Sequence, residues 1–312
     1  MPIKKSIKVV FIVGPTGAGK TQIAINLAKK IDGEIICCDS MQIYKGLDIL
    51  TGKPTAGQMS EVPHHLFSIK NLTENFSVAA YRKQALKKMK EIHGRGKIPI
   101  FVGGTGLYAQ ALLDGLFSSP QRDLRLRKKF QGQAAKYGAR YLYEKLKKID
   151  PQAANIIHAN DLRRIVRALE VYSVTGMTIS QLKLNTSGGI YKRYPTCILC
   201  LYFKNRFLLY DRINQRVERM FSQGVVDEVK KAISIKLSMT ASQALGIKHI
   251  KDFIKGKHGI ERAKELLKLD TRRYAKRQLS WFRRDKRAKW VPLDGYREAI
   301  NQKNLDFIYK YC

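Results

Sequence analysis

The sequence predicts an α/β protein with a parallel sheet core and helices on both faces, interrupted by an all-α insertion. Two observations favour this class. Almost wholly apolar runs alternate with helix-period stretches early in the chain, as buried parallel strands alternate with the helices that cover them. Helix-forming residues then dominate from Pro120 to about Lys183, and a further apolar run, 196–203, returns only after that stretch.

Each element follows from its local pattern. The predicted strands are 8–13, 34–38, 98–102 and 196–203, and the predicted helices outside the insertion are 21–31, 78–93, 207–232 and 263–287. A polar link with glycines, 185–193, separates the helix-rich stretch from the last strand. The predicted organisation is therefore a discontinuous core at 1–117 and 191–295, an insertion at 118–190 and a C-terminal tail at 296–312.

The charge balance is strongly basic. The chain of 312 residues has 59 Lys and Arg against 25 Asp and Glu, a formal net charge of +34. A surface this positive repels itself unless a polyanion neutralises it, so nucleic acid is the leading class of partner. The alternative is a solvated coat of basic side chains without a ligand, and composition alone leaves both open.

The first apolar run and the cysteines favour a cytoplasmic protein. Basic residues precede that run, as in a signal peptide, but it leads into a glycine-rich loop rather than a cleavage site. No apolar segment approaches the roughly 20 residues that span a bilayer, so no membrane association is expected. Cys197 and Cys200 form one Cys-x-x-Cys inside a predicted strand, which favours buried structural thiols over a zinc site. His64 and His65 are adjacent in an extended segment and point opposite ways, which favours structural roles over a metal site.

A phosphate-binding loop follows the first strand. It has the spacing glycine, four residues, glycine, lysine and threonine, and consists of Gly14, Pro15, Thr16, Gly17, Ala18, Gly19, Lys20 and Thr21. Between a strand and a helix, such a loop surrounds an anion with backbone N–H groups and the helix N-terminus. Lys20 adds a positive charge, and the Thr21 hydroxyl can hold Mg²⁺. The core is therefore predicted to be P-loop NTPase-like, binding a phosphate compound that the loop alone does not identify.

The second strand leads to Asp39 and Ser40, at the edge of the sheet where α/β proteins bind ligands. A carboxylate there can coordinate a metal, accept a proton or cap a helix, and its position leaves these roles open. An ordinary P-loop ATPase has a metal-binding aspartate after a later strand. Here the run 98–102 is followed by glycines and Thr105, without a carboxylate. This pattern favours group transfer over a motor or a switch.

Taken together, these motifs resemble the bacterial tRNA dimethylallyltransferases (tRNA isopentenyltransferases). The similar segments run in family order to about residue 290: 14–21, 39–44, 51–54, 63–66, 76–82, 103–108, 160–161 with 163–170, 212–216, and 276–278 with Trp281 and Arg283. The resemblance implies an enzyme that transfers a dimethylallyl group from dimethylallyl diphosphate to N6 of the adenosine 3′-adjacent to the anticodon in tRNA. The other product is diphosphate.

The resemblance also implies catalytic roles. Asp39 accepts the proton of the adenine amine, Thr105 lies near the reacting groups, and Arg216 stabilises the departing diphosphate. The alternative for Arg216 is an exposed helix residue without a ligand. The diphosphate binds at 14–21, and the implied cofactor is Mg²⁺, held by Thr21.

Two regions are predicted to bind tRNA, the helical insertion and the basic segment 271–290. In that segment Lys and Arg are interleaved with aromatic residues and accompanied by one acid, Asp285. Cations can meet phosphates there while aromatic rings stack on bases or anchor the helix in the core. By resemblance, the tRNA-binding residues are Asp39, Ser40, Met41, Gln42, Thr105, Arg127, Arg163, Arg164, Ile165, Val166, Arg167, Gln243, Gly246, Lys248, Lys276, Arg277, Gln278, Trp281 and Arg283.

The sequence departs from the usual family pattern in the predicted tRNA-contacting loop, and two other functions remain as alternatives. Ile247 stands where the family usually has an aromatic residue, which puts the stacking contact around 243–248 in question. Prenylation of free AMP or ADP is disfavoured because a mononucleotide needs neither the insertion nor the basic segment. An ATP-binding RNA module or a small-molecule kinase is disfavoured by the missing carboxylate after 98–102. The resemblance favours a monomer.

Overall fold

The computed structural model describes residues 9–117, 120–184 and 186–293. They form two compact units, which divide between Leu113 and Asp114 and between Ile190 and Tyr191. The first unit joins the N-terminal and C-terminal segments, and the second is the segment between them. The predicted insertion, 118–190, lies within the second unit. The predicted tail, 296–312, lies outside the described residues.

The described residues form eight strands and fourteen α-helices. The strands are β1 (Val9–Val13), β2 (Gly33–Cys37), β3 (His64–His65), β4 (Ile98–Gly103), β5 (Gly115–Leu116), β6 (Ser187–Gly188), β7 (Thr196–Tyr202) and β8 (Lys289–Pro292). The helices are α1 (Lys20–Ile31), α2 (Asp48–Thr51), α3 (Ala56–Glu61), α4 (Val78–Gly94), α5 (Gly106–Leu113), α6 (Leu124–Tyr137), α7 (Ala139–Ile149), α8 (Pro151–Ile156), α9 (Leu162–Thr175), α10 (Ile179–Leu184), α11 (Arg206–Ser222), α12 (Val225–Ile233), α13 (Ile247–Ile254) and α14 (Ile260–Phe282).

The first unit contains a six-stranded sheet in the order β3-β2-β4-β1-β7-β8. Every neighbouring pair is parallel, which confirms the predicted parallel core. The two edge strands were not predicted. β3 is a pair of histidines, too short for a periodic signal, and β8 lies in the basic segment. In β8 the ring of Trp290 packs edge-on against Tyr202 of β7, with centroids 5.5 Å apart.

Aliphatic side chains bury the centre of this sheet. Every residue of β1 is buried, and Ile23 and Leu27 of α1 pack in the same cluster as Ile100 and Leu199 of the flanking strands. Each such side chain contributes about 1.5–3 kcal/mol of hydrophobic free energy. The fixed register of β1, β2 and β4 brings the loops that follow them to one edge of the sheet.

Two of the predicted helices have different bounds in the structure. The described cysteines, in contrast, are buried as predicted. The predicted helix 207–232 is two helices, α11 and α12, separated by Gln223 and Gly224. α14 ends at Phe282 rather than at residue 287. Cys197 and Cys200 are buried and form no disulfide, and the same holds for Cys37 at the end of β2 and for Cys38 just after it, so the prediction of structural thiols is confirmed.

The second unit is helical, with a core that includes Phe130, Leu142, Leu146 and Leu169. It also contains one antiparallel pair of two-residue strands, β5 and β6, near its two ends. The sequence prediction of an all-α insertion lacked this pair, because two residues give no alternation to detect. Among the described helices of the chain, none is both long enough and apolar enough to cross a membrane.

Candidate active site

The phosphate loop lies between β1 and α1. Its first residue, Gly14, has φ 136°, and a Cβ there would stand 2.6 Å from the backbone oxygen of Leu201 in β7. Only glycine fits that approach, so the loop starts tight against the sheet. Across the loop, Lys20 Nζ donates to the backbone oxygens of Gly14 and Pro15 at 3.1 and 2.7 Å.

Three charged side chains, those of Lys20, Asp39 and Arg216, lie within electrostatic range of one another beside this loop. Burial lowers the pKa of Lys20 to about 8; the negative charge of Asp39 opposes that change and the positive charge of Arg216 adds to it. Burial likewise lowers the pKa of Arg216, and Asp39 again opposes the change. The three predicted residues therefore lie close enough to interact electrostatically. Two cations facing one carboxylate leave an excess of positive charge, which suits a bound diphosphate.

Asp39 is held within its own loop, and the loop that follows β4 holds the neighbouring Ser40. Its Oδ1 accepts a hydrogen bond from the backbone N–H of Met41 at 2.9 Å. Thr105 Oγ1 accepts from the backbone N–H of Ser40 at 3.0 Å and donates to Ser40 Oγ at 3.3 Å. None of the described residues donates a hydrogen bond to Asp39 Oδ2. One carboxylate oxygen thus fixes the loop while the other is available to a substrate.

Arg216 projects from α11 onto the end of α2. Its Nη2 donates to the backbone oxygen of Thr51 at 3.1 Å. Gln42 Nε2 donates to the same oxygen at 3.1 Å and to the backbone oxygen of Gly52 at 3.0 Å. Arg216 is therefore not the exposed helix residue of the alternative reading. Gln42 uses its amide donors on the protein, so a contact with tRNA is left to its backbone or its carbonyl.

Gln278 joins two loops of the site. Its side chain on α14 is buried, at 4% exposure. Oε1 accepts from the backbone N–H of Thr16 at 2.9 Å, and Nε2 donates to the backbone oxygen of Gly104 at 3.0 Å. Both ends of the amide therefore tie the phosphate loop to the loop after β4, and the tRNA contact of Gln278 stays a prediction. A Cβ at Gly104 would overlap that amide, so a larger residue there would displace the Gln278 side chain from these bonds.

Sequence reasoning missed the place of Tyr274. Burial raises the pKa of its phenol, and the carboxylate of Asp39 raises it further, while a hydrogen bond with Thr105 opposes the rise. The hydroxyl therefore lies beside the predicted catalytic residues. By sequence, Tyr274 is one of the aromatic residues of the basic segment 271–290. Its spacing of four residues from Gln278, which puts both on one face of α14, is the signal that could have found it.

The remaining predicted residues of α14 lie toward solvent. Lys276, Arg277 and Arg283 are exposed, and Trp281 is half-buried. The indole of Trp281 lies against Gly106, at the start of α5. The structure is compatible with a cationic surface at three of these positions and an aromatic anchor at the fourth.

The segment around α13 divides between surface and core. Gln243 and Lys248 are exposed, whereas Gly246 is buried at the start of the helix. Ile247 is also buried, at 5% exposure. The residue that replaces the family aromatic is thus a core residue in this chain, and the exposed polar side chains remain for contact with RNA.

In the second unit, the predicted tRNA-binding residues of α9 divide between surface and core. Arg163 and Arg164 of α9 are exposed, as an RNA contact requires. Ile165 and Val166 are buried in the core of the unit, at 0% and 4% exposure, so their side chains pack the helix and a contact with RNA is left to their backbone.

The two other arginines of this unit that are predicted to bind tRNA, Arg127 and Arg167, converge on a buried acid that the sequence did not reveal. Glu170 has no exposed side-chain surface; Arg127 bonds it through Nε and Nη2 at 3.0 and 2.9 Å, and Arg167 through Nη1 at 2.8 Å. Asp123 adds a backbone N–H at 2.7 Å. Burial alone would raise the pKa of Glu170, but these hydrogen bonds outweigh it and hold the pKa below its usual value.

We expect Glu170→Gln to lower the free energy of unfolding by about 2–3 kcal/mol at neutral pH, since it leaves two guanidinium groups uncompensated. Both arginines keep some contact with water, which holds the loss below that of a fully buried pair. The folded-state pKa of Glu170 lies below the usual 4.5. Its contribution is therefore complete above that value and lost as the pH falls through the folded pKa. Denaturant unfolding of both proteins should give curves that converge in acid; a constant difference would contradict the prediction.

The donor set near the loop fits Mg²⁺. Thr21 lies in the first turn of α1, and no described residue hydrogen-bonds to its hydroxyl. Among the described residues there is no cluster of three or more His, Cys, Asp or Glu that could hold a metal by itself. Mg²⁺ commonly takes few protein ligands and completes its octahedron with water and phosphate oxygens. A single hydroxyl at the phosphate loop suits that mode.

Comparison with known proteins identifies the family of this chain. The IPP transferase family model matches residues 42–285. A tRNA dimethylallyltransferase of Thermoanaerobacter sp. (strain X514) is 45% identical over 295 residues, covering 94% of both chains. One of Carboxydothermus hydrogenoformans is 46% identical over 302 residues, covering 95% of both chains.

Solved structures give the same result. A full-length tRNA isopentenylpyrophosphate transferase from Bacillus halodurans has a TM-score of 0.70 at 39% identity, covering 98% of this chain and 95% of its own. A eukaryotic dimethylallyltransferase acting on tRNA has a TM-score of 0.74 at 32% identity, covering 89% of this chain and 70% of its own. These neighbours confirm the predicted P-loop NTPase-like fold. The chain therefore belongs to the IPP transferase family, among the tRNA dimethylallyltransferases.

Proposed function

We propose that this enzyme transfers a dimethylallyl group from dimethylallyl diphosphate to N6 of the adenosine 3′-adjacent to the anticodon in tRNA. The observation that carries the proposal is the placement of Asp39 within electrostatic range of Lys20 and Arg216, with Lys20 bonded to the phosphate loop. A base and an anion site so close together suit a reaction in which a nucleophile loses a proton as diphosphate departs. The names of the relatives supply the acceptor and donor classes.

The reaction is a substitution at an allylic carbon. The bond between C1 of the dimethylallyl group and the diphosphate oxygen breaks, and diphosphate keeps the electron pair. The lone pair of N6 forms the new bond to C1. The amine is a weak nucleophile because its lone pair is delocalised into the ring, so removal of its proton aids the attack. Asp39 Oδ2 is the proposed acceptor of that proton, since Oδ1 is already engaged by Met41 N–H.

The departing diphosphate needs positive charge in fixed positions. The phosphate loop offers backbone N–H groups, and Lys20 offers an ammonium group that is bonded to the loop. Arg216 offers a guanidinium group within electrostatic range of Lys20. Thr21 would hold Mg²⁺, and the bound ion would supply further positive charge to the leaving group. Gln278 keeps the loop at a fixed distance from Gly104, so these groups need not reorganise during the reaction.

The adenine has to leave its stack in the anticodon loop to reach Asp39, which is a base-flipping step. Ser40 and Met41, next to Asp39, are placed to contact the extruded base. Thr105 positions that segment through Ser40. Exposed cations of α14 and α9 then bind the backbone of the anticodon stem-loop. The enzyme acts as a cytoplasmic monomer in this proposal.

The salt dependence of tRNA binding tests the α14 surface. We expect Lys276→Ala and Arg277→Ala each to weaken binding and to reduce the slope of log affinity against log salt by roughly 0.7, one phosphate contact apiece. Filter binding over a salt series measures both quantities. Arg262→Ala is the matched control, because Arg262 lies on the same helix, paired with Glu265 at 2.9 Å. An unchanged slope at both positions would move the RNA elsewhere.

Mass analysis of nucleosides tests the function directly. Undermodified tRNA is incubated with enzyme, magnesium and either dimethylallyl diphosphate or ATP, then digested. We expect N6-dimethylallyladenosine from the first mixture alone, located by fragment mapping to the base 3′-adjacent to the anticodon. Prenylated AMP from added AMP, with unmodified tRNA, would support the mononucleotide alternative. Phosphate release from ATP without any prenyl transfer would support the kinase or ATPase alternative.

A further inference from the structure

Glu228 binds one end of the single-turn helix α2. Its Oε2 accepts hydrogen bonds from the backbone N–H groups of Asp48 and Ile49 at 2.6 and 2.8 Å. Its Oε1 accepts from the backbone N–H of Leu50 at 2.8 Å. The first N–H groups of a helix have no partner within the helix, and a helix of one turn is not stable alone. Three bonds to one carboxylate therefore hold α2 in its helical form.

The opposite end of α2 holds Arg216. Thr51 is the last residue of the helix, and its carbonyl accepts from both Arg216 Nη2 and Gln42 Nε2. The guanidinium packs directly on the backbone of Gly52, where φ is 56° and a Cβ would overlap it. The helical form of α2 thus decides where the acceptor for Arg216 lies.

We infer that Glu228 is a positioning residue for Arg216, acting through α2. The inference rests on the proposed role of Arg216 at the diphosphate. Arg216 is largely shielded from water and feels the charges of Asp39 and Arg219. If α2 unwinds, the guanidinium loses the Thr51 carbonyl and can turn toward Asp39. Such a turn would weaken diphosphate stabilisation and neutralise the proposed base at the same time.

A second set of contacts keeps this effect local. Lys53, just after α2, bonds Asp48 Oδ1 at 2.5 Å, Ser68 Oγ at 2.9 Å and the backbone oxygen of Tyr44. The segment stays attached to the unit when Glu228 is removed. The expected consequence is a loosened α2 rather than global unfolding.

The test is a double-mutant cycle of Glu228→Ala and Arg216→Ala with two readouts, the single-turnover transfer rate and the affinity for inorganic diphosphate by calorimetry. Displacement of a catalytic group by about 1 Å can cost on the order of 100-fold in rate. We expect Glu228→Ala to slow transfer by about 10- to 100-fold in the Arg216 enzyme and by less than about 2-fold in the Arg216→Ala enzyme. Diphosphate affinity should show the same coupling, while tRNA affinity stays within a few-fold. Glu228→Gln, which keeps one acceptor oxygen, should give a transfer rate between that of the wild-type enzyme and that of Glu228→Ala.

Ser77→Ala is the matched control. Ser77 accepts a hydrogen bond from Ala80 N–H at the start of α4, so its loss removes a helix cap in the same unit. If Glu228 were purely structural, Glu228→Ala would lower the melting temperature as Ser77→Ala does. Its effects on the two readouts would then add to those of Arg216→Ala. Additivity in either readout overturns the inference. A wild-type enzyme without transfer activity would refute the proposed function instead, and the diphosphate cycle would still decide the role of Glu228.

Discussion

Asp39→Asn is expected to slow prenyl transfer by about 1,000-fold, within the range that a general base contributes. The asparagine carbonyl can still accept the hydrogen bond from Met41 N–H, so the loop keeps its form, but the amide cannot take a proton. Single-turnover transfer to undermodified tRNA measures the loss. Affinity for tRNA should stay within a few-fold, because the segment around Ser40 is still held by Thr105.

The same variant separates a base from a metal ligand. Asp39 faces the two cations that are proposed to bind diphosphate. If its role is proton transfer, loss of its negative charge should leave the affinity for magnesium diphosphate unchanged or raise it. If Asp39 instead held the metal, that affinity should fall. Asp39→Ala should match Asp39→Asn in rate; an asparagine variant close to wild type would reduce Asp39 to a structural residue.

The parts of the site that the sequence predicts are those built from local pattern. The phosphate loop follows an apolar strand and opens an amphipathic helix, so its place is fixed by neighbours in the chain. Asp39 and Thr105 follow parallel strands that pair directly, which brings them to one edge of the sheet. Strand order and hydrophobic pattern therefore suffice to place them near the loop.

The parts that could not be predicted depend on side chains far apart in sequence. Gln278 bonds Thr16 across a separation of 262 residues, and Glu228 bonds Asp48 across 180. No periodicity marks such a pair, because only the tertiary fold brings its members together. Glu170 is a similar case. In the sequence it is one acidic residue near several arginines, and its complete burial appears only in the packed unit. The burial of Ile165 and Val166 likewise appears only in the packed unit.

Arg216→Ala is expected to lower the transfer rate by about 100- to 1,000-fold, the usual effect of removing one fixed donor to a developing anion. Arg216→Lys should recover only part of this loss. A lysine keeps the charge, but it lacks the planar fork that lets a guanidinium bond the Thr51 carbonyl while it faces a second acceptor. Inhibition by added diphosphate should weaken in parallel with the rate, because both report contact with the leaving group.

The control for Arg216 is Arg206→Ala, an exposed arginine on the same helix whose guanidinium lies 5.4 Å from the ring of Phe207. Its removal takes one positive charge from α11 without touching α2, so the transfer rate should not change. If both variants slowed transfer equally, net charge would explain the effect and not the position of the guanidinium. If Arg216→Ala left diphosphate inhibition intact while it slowed transfer, Arg216 would act on the adenine or on Asp39. The leaving group would then depend on Lys20 and the loop amides alone.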